Sequence, residues 1–178
     1  MIGTILLVIA GIFALLIIAG LFIPRSYKFS RSIVISGEKK HIFNTIDDLK
    51  TWSKWSQWSP DRDPGISITC SDPSAGVNSH MEWKGKKMGA GKLEIIATEP
   101  YKTITVATAF NKGLFKMDFE FILEELKGDQ YLVKWIVSGK TKRGGFAKIL
   151  GQLVPRMMGK DMEIALQLLK HYCEGTLG

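Results

Sequence analysis

The strongest constraint on the fold is a period of two in hydrophobicity that recurs along the middle of the chain. It is clearest in "LFKMDFEFILEE" (114–125), where one side of the segment carries Phe115, Met117, Phe119, Phe121 and Leu123. Such alternation is typical of a strand with one dry and one wet face. Comparable segments are "GISITCS", "SHMEWKG", "GKLEIIATEP", "YKTITVATAF" and "QYLVKWIVSGK". Successive short strands joined by turns predict an antiparallel meander.

Another strand and helices flank this meander. "YKFSRSIVIS" (27–36) alternates in the same way, with Arg31 as an exception on its apolar side, and an amphipathic helical segment follows it. In "KDMEIALQLLKHYC" (160–173) the residues at helical spacing are Met162, Ala165, Leu166, Leu169 and Cys173. The preceding "GGFAKILGQLVPRMMG" is interrupted by Pro155, which predicts a short helix or a lid segment there.

The beginning of the chain is an uncharged apolar run from Ile2 to Ile23. As a helix it would be roughly 33 Å long, enough to cross a hydrocarbon core of about 30 Å. A cleaved signal peptide is the alternative, but such peptides have a basic start and a shorter apolar run. The run therefore favours a retained membrane anchor.

Basic residues follow this run and none precedes it: Arg25, Lys28 and Arg31 lie closest. The positive-inside rule then predicts a single-pass protein of the cell membrane whose C-terminal part lies in the cytoplasm. We expect an anchor over 2–23 and one domain over 24–178.

The two cysteines, Cys70 and Cys173, lack metal-like spacing and are typical of buried thiols in a reducing compartment, although a single disulfide is the alternative.

The formal net charge is +7 with a pI near 9.4, and no charged residue precedes Arg25. A basic surface close to a bilayer favours an anionic lipid leaflet as partner, and nucleic acid is not expected. One stretch is both basic and apolar and predicts a membrane-surface segment. Its candidate residues are Lys140, Lys142, Arg143, Lys148 and Arg156. The alternative is a solvated segment whose charges keep the protein soluble.

A sheet with one apolar face needs a cover, and the closing helix is the only predicted element of sufficient length. The sequence thus predicts an α+β fold in which an antiparallel curved β-sheet grips a long C-terminal α-helix, preceded by one transmembrane helix. A curved sheet around a helix leaves a cavity. The residues expected to line it are Trp55, Met81, Trp83, Phe115, Met117, Phe119, Trp135, Val137, Met158, Met162 and Leu166. A fully packed core of the same side chains is the alternative.

Three of the five tryptophans fall within seven residues, at Trp52, Trp55 and Trp58. Aromatic side chains near helix ends usually pack in the core, which predicts a wall for the interior. Trp58 as a gate of the pocket is the second interpretation.

Several segments resemble the START-like helix-grip superfamily (SRPBCC), in its polyketide cyclase/dehydrase-like bacterial branch. "RSIVISGEKKHIFNTIDDLKTWSKWSQW" is similar to the opening strand and Trp-rich helices of that branch, and "GVNSHMEWKGKKMGAGKLEI" to its hairpin. "YLVKWIVSG" is similar to the late strand and "MMGKDMEIALQLLK" to the closing helix. The resemblance covers roughly residues 27–172. It implies the helix-grip fold and leaves the activity open, because the superfamily includes carriers, receptors and cyclases.

Catalytic residues are not evident in the sequence. No Ser/His/Asp or Cys/His arrangement has a recognisable context, metal-ligand spacing is absent, and no cofactor is expected. "GKKMGAGKLE" departs from a phosphate-binding loop at Lys86 and Leu93. We therefore expect a membrane-anchored binding or carrier module for an apolar small molecule or lipid. The alternatives are a cyclase- or hydratase-type enzyme acting on a polyketide-like or aromatic substrate, and a non-catalytic partner of another membrane protein.

Overall fold

The computed structural model describes residues 2–22, 24–113, 115–141 and 145–175, and within these it leaves undescribed the side chains of 2, 13, 16–22, 145–147, 149 and 150. In chain order the elements are α1 (Ile2–Phe22), β1 (Ser26–Ser36), α2 (Lys39–Asp47), a 3₁₀ helix (Leu49–Thr51), α3 (Trp52–Trp55), β2 (Ser67–Cys70), β3 (His80–Lys84), β4 (Ala90–Glu99), β5 (Thr103–Phe110), β6 (Phe115–Glu125), β7 (Gln130–Lys140) and α4 (Gly145–Cys173). The predicted α+β architecture, a curved antiparallel sheet with a long C-terminal helix, is confirmed.

The seven strands form one sheet in the order β1-β7-β6-β5-β4-β3-β2, and all neighbours are antiparallel. The six strands β2 to β7 are therefore the predicted meander, and β1 joins it along β7. Directly opposite residues of an antiparallel pair point to the same face of the sheet. Trp135 lies opposite both Phe121 and Arg31, so Arg31 is on the inner, apolar face.

Every strand has one of its ends on the same side of the sheet as the point where α1 leads into β1. The register shows this as a continuous line of partners: Ser26 opposite Lys140, Gly139 opposite Met117, Phe115 opposite Phe110, Phe110 opposite Gly91, Ala90 opposite Lys84, and Lys84 opposite Ser67. We call this edge of the sheet the α1 end and the opposite edge the far end. The two ends differ in their side chains, as described below.

Helix α4 runs alongside β1 from the α1 end to the far end. Gly151 packs against the side chains of Thr141 and Tyr27, and Gly159 packs against the Arg31 guanidinium. Nearer the far end, Lys170 Nζ donates a hydrogen bond to the Val34 carbonyl at 2.9 Å. Met162, Ala165, Leu166 and Leu169 are buried beneath the helix, as their spacing predicts.

The break predicted at Pro155 is wrong, because α4 is continuous through it. Proline removes one backbone N–H and its ring crowds the carbonyl of the residue four positions earlier. Here that residue is Gly151, which has no side chain of its own. The hydrogen bonds on both sides of Pro155 and the packing along β1 keep the two parts in one helix.

Helix α1 carries no charged side chain and contacts α4. Several of its described apolar side chains are more than half exposed, Leu7 and Leu15 most of all. Gln152 of α4 donates a long hydrogen bond of 3.4 Å to the Pro24 carbonyl beyond the end of α1. Over the side chains that the structure describes, no helix has both the length and the hydropathy that crossing a membrane requires. The predicted transmembrane helix is therefore not supported by the structure.

Candidate functional site

The three clustered tryptophans lie in the interior, against the inner face of the sheet. Trp52, Trp55 and Trp58 are all fully buried. The Trp52 ring lies 5.0 Å from that of Trp55 and 5.7 Å from that of Trp58, and it meets Phe121 edge-on at 5.8 Å. Trp52 Nε1 donates to the Ile46 carbonyl at 2.8 Å, which fixes the ring relative to α2. The three tryptophans are therefore packed in the core, in the position for which the sequence predicted a wall of the interior.

Most of the predicted pocket residues come together in this interior. Fully or almost fully buried are Trp55, Met81, Trp83, Phe119, Trp135, Val137, Met162 and Leu166. Met117 and Met158 are half-buried and pack against the same core. Phe115 is not among them, because its side chain is 57% exposed at the start of β6.

Three buried hydrogen-bonding groups around Phe119 have no partner among the described residues. They are Trp58 Nε1, Trp135 Nε1 and Thr108 Oγ1. The rings of Trp58 and Trp135 lie 6.3 and 5.4 Å from the Phe119 ring. Thr108 faces Met117 across the β5–β6 pair, one inward position along from Val106, which faces Phe119. We call Phe119, Trp58, Trp135 and Thr108 the Phe119 cluster.

Buried polar groups in folded proteins nearly always have a hydrogen-bond partner, and leaving one unpaired costs about 1–3 kcal/mol. Three such groups, from a loop and two strands, are therefore notable in an apolar interior. Sequence reasoning missed Thr108, although a signal was present. It is the single polar residue among the inward positions Ile104, Val106, Thr108 and Phe110 of β5.

Toward the α1 end, the inner face changes from fully buried to half-buried. Tyr27 lies over Gly139, where any Cβ would overlap the tyrosine ring. Burial, and to a smaller extent the carboxylate of Asp118, raise the pKa of the Tyr27 hydroxyl. Tyr27 therefore stays a neutral hydrogen-bond donor through the physiological pH range. Met117 and Met158 are the half-buried apolar side chains of this region.

A loop at the α1 end is held by a single carboxylate. Asp63 is buried, and its Oδ2 accepts hydrogen bonds from the backbone amides of Lys87 at 2.8 Å and Met88 at 3.0 Å. These amides, Met88 first, lower the pKa of the Asp63 carboxyl. Gly85 lies so close to this carboxylate that a Cβ there would overlap it. Asp63 thus attaches the loop before β2 to the β3–β4 turn.

Of the predicted membrane-surface residues, Lys140 and Arg156 are exposed and Lys148 is half-buried. Lys142 and Arg143 lie outside the described residues.

In the described part of the chain, no three His, Cys, Asp or Glu side chains come close enough together to hold a metal ion.

Solved structures with the same architecture have very different sequences. The di-domain aromatase/cyclase StfQ from the steffimycin biosynthetic pathway has a TM-score of 0.63 at 12% identity, covering 85% of this chain and 51% of that one. A truncated norcoclaurine synthase from Thalictrum flavum has a TM-score of 0.61 at 10% identity, covering 83% and 92%. Ara h 8.0201 has a TM-score of 0.60 at 15% identity, covering 84% and 99%.

The fold is a helix grip. These neighbours are SRPBCC-like helix grips, which agrees with the resemblance in the sequence, and at such low identities they show the fold alone. No protein-family model and no curated protein matches the chain. Within the helix grip, the activity has to be argued from the residues of the interior.

Proposed function

We propose that this helix grip is a binding or carrier module for an apolar small molecule or lipid that lies between the sheet and α4. The observation that carries the proposal is the Phe119 cluster, an apolar interior in which three buried hydrogen-bonding groups lack partners among the described residues. A ligand that is mostly apolar and carries a hydrogen-bond acceptor, such as a carbonyl oxygen, matches this combination. Two of the structural neighbours, a norcoclaurine synthase and StfQ of the steffimycin biosynthetic pathway, are proteins of small-molecule biosynthesis, which supports such a ligand.

The route to the Phe119 cluster leads from the α1 end. Thr108 is directly opposite Met117, and Met117 is half-buried, so the cluster borders the partly open part of the inner face. Methionine side chains are flexible and polarisable and adapt to ligands of different shape. Met158 on α4 provides a second half-buried methionine that packs against the same core.

The direct test is chemical analysis of what the protein carries. The full chain is purified in mild detergent and extracted with organic solvent, and the extract is compared by mass spectrometry with that of an unrelated membrane protein prepared identically. We expect an enriched apolar compound with a carbonyl or similar acceptor. Binding of an apolar fluorescent probe to the purified chain gives a second readout.

Two tryptophan substitutions on α4 distinguish an occupied interior from a surface effect. Met158→Trp places a large ring on the half-buried side of the helix and should abolish probe binding with little change in melting temperature. Ile164→Trp is the matched control, because Ile164 is 42% exposed on the same helix, and it should leave probe binding unchanged. A parent protein that binds no probe and yields no compound would contradict the carrier function.

The polar part of the ligand is tested at Thr108. Valine has the shape of threonine without the hydroxyl, and removing an unpaired buried hydroxyl should stabilise the empty protein by about 1 kcal/mol. Thr108→Val should at the same time weaken binding of a carbonyl-bearing probe more than binding of a pure hydrocarbon probe. Equal effects on both probes would mean that the hydroxyl does not contact the ligand.

We further propose that residues 2–23 anchor the protein in the cell membrane, with the helix grip in the cytoplasm. The support is the uncharged helix α1, its exposed apolar side chains, and the basic residues Arg25, Lys28 and Arg31 that follow it. A reporter protein that fluoresces only in the cytoplasm should fluoresce when it is fused after Gly178. Activity of a reporter that works only outside the cytoplasm would contradict this orientation, and recovery of the chain in the soluble fraction would contradict the anchor.

A further inference from the structure

Basic side chains gather at the α1 end of the sheet from turns that are distant in the sequence. The segments that lie along this end are 24–28, 60–67, 84–91, 110–113, 115–116 and the end of β7, as the register requires. Their exposed basic residues are Arg25, Lys28, Lys84, Lys86, Lys87, Lys112, Lys116 and Lys140. Within these described segments the acids are Asp61 and Asp63, and backbone amides already bind Asp63.

The far end of the sheet has the opposite charge. The acids of its turns and of the end of α4 are Glu38, Asp72, Glu99, Glu124, Glu125, Asp129 and Glu174, against the basic residues Lys39, Lys40, Lys102, Lys127 and Lys170. Three of these lysines form ion pairs with far-end acids, Lys39 with Glu125, Lys102 with Glu99 and Lys170 with Glu174. Among the described residues, the excess of positive charge therefore lies at the α1 end of the sheet.

We propose that the α1 end is a docking surface for the anionic headgroups of a lipid bilayer, formed by the β3–β4 turn, the β5–β6 turn and the beginning of β1. This deepens the proposed membrane location and does not depend on the interior ligand. Clusters of lysine and arginine next to a membrane bind anionic lipid, each residue contributing to the attraction. α1 leads into β1 at this same end, so an anchored chain would hold this face toward the bilayer.

An exposed aromatic side chain favours a bilayer over nucleic acid as the partner. Phe115 lies between Lys112 and Lys116 in the sequence and is 57% exposed, with its strand partner Phe110 half-buried. Phenylalanine beside basic residues is typical of segments that insert into the boundary between headgroups and acyl chains. A phosphate backbone would use the lysines but would not need an isolated phenylalanine at their centre.

Lysine footprinting of the full chain tests the surface directly. The protein is mixed with vesicles of phosphatidylcholine, with or without phosphatidylglycerol, labelled briefly with an amine-acylating reagent, and analysed by mass spectrometry. We expect protection of Lys84, Lys86, Lys87, Lys112 and Lys116 on the anionic vesicles only, and reversal of this protection by salt. Labelling of Lys40 and Lys127 at the far end should not change.

Two variants with equal loss of charge provide the matched comparison. K86Q/K87Q/K112Q/K116Q removes lysines from the α1 end, and K39Q/K40Q/K102Q/K127Q removes the same number from the far end. The variant of the α1 end should reduce the docked population about five-fold per lysine. The loss is measured as weaker protection of Lys84 and Lys140 from acylation. The second should leave that protection intact. Phe115→Ser should weaken docking but leave the salt dependence of docking unchanged, because it removes no charge.

The outcomes separate this surface from the anchor. Binding to neutral vesicles reports on α1, whereas protection that requires phosphatidylglycerol reports on the docking surface. Equal effects of the two lysine variants, or no protection on anionic vesicles, would overturn the proposal. Protection of the same lysines by duplex RNA or DNA, with none on anionic vesicles, would also overturn it and would identify nucleic acid as the partner.

Discussion

Arg31 of β1 and Glu163 of α4 form an ion pair across the interface between the sheet and the closing helix, with Arg31 Nε 2.6 Å from Glu163 Oε1. Arg31 stands on the inner face of the sheet, and its guanidinium passes over Gly159 to reach the carboxylate. A glycine at this position of α4 is what makes room for the arginine. The pair is partly exposed on both sides, so its contribution to stability is small by itself, about 0–1 kcal/mol.

The effect of Gly159→Ala should therefore depend on Arg31. In a helix, alanine is more favourable than glycine by about 1 kcal/mol, but here the new Cβ would displace the guanidinium. We expect Gly159→Ala to be close to neutral in the parent chain and stabilising by about 1 kcal/mol in an Arg31→Ala background. Urea unfolding of the four proteins of this cycle measures the coupling, and additive effects would show that the two residues do not compete for space.

Gly91 should not tolerate a side chain. Its Cβ would overlap the ring of Trp83 and would lie 2.7 Å from the backbone oxygen of Ala109, which cannot move away easily. Gly91→Ala is expected to destabilise the fold by about 1–3 kcal/mol, the usual cost of overpacking. Gly65→Ala is the control, because nothing lies within 4 Å of a Cβ there. Equal thermal unfolding of the two variants would contradict the close packing of Trp83 on β4.

Asp63 should make stability depend on acid pH. A lowered pKa means that folding favours the ionised carboxylate. The stability that the ionised carboxylate contributes is then fully present at neutral pH. It begins to be lost when the pH falls below about 4, the pKa of an aspartate in an unfolded chain, and is gone once the pH is below the lowered pKa of the folded state. Asp63→Asn should lower the urea midpoint at pH 7, and the difference from the parent should disappear in acid. Asp61→Asn, at an exposed neighbour, should show neither effect.

Cys173 should be unreactive in the folded protein. Burial, together with the smaller effect of the nearby Glu174 carboxylate, raises the pKa of its thiol to about 11, although a hydrogen bond with Thr45 acts in the opposite direction. The thiolate is the reactive form, so alkylation by iodoacetamide at pH 8 should be about a hundred-fold or more slower than for a free cysteine. Full reaction after unfolding in urea is the control, and Cys173→Ser identifies the signal. Rapid alkylation of the folded chain would contradict a buried thiol.

The alternation of the strands and the spacing of the closing helix were sufficient to predict the architecture, because both patterns record directly which side of an element is dry. The exception at Arg31 was visible in the same pattern, but its reason was not, since the ion pair needs a residue that lies 132 positions further along the chain. The irregularity of β4 between Ile95 and Ala97, which leaves Ile96 exposed, breaks the alternation and could not be placed from sequence.

The candidate surfaces were harder to predict, for a similar reason. The basic stretch after Gly139 was evident because its residues lie close together in the sequence, whereas Lys86 and Lys112 come to the same end of the sheet as Lys140 only through strand register. Likewise, the composition of β5 shows that Thr108 is polar, but whether a buried hydroxyl has a partner depends on residues from other strands. Local patterns therefore predicted the elements, and the sites required their arrangement in space.

The separation of charge between the two ends of the sheet makes the net charge of +7 a poor guide to how the protein meets a surface. An 11-residue strand such as β6 or β7 spans roughly 36 Å, several times the Debye length of about 8 Å at physiological ionic strength. The acidic pole is thus too distant to cancel the basic one. The domain is an electric dipole along its strands, and a negatively charged plane exerts a torque that turns the basic pole toward it before any contact forms. Orientation would precede adhesion.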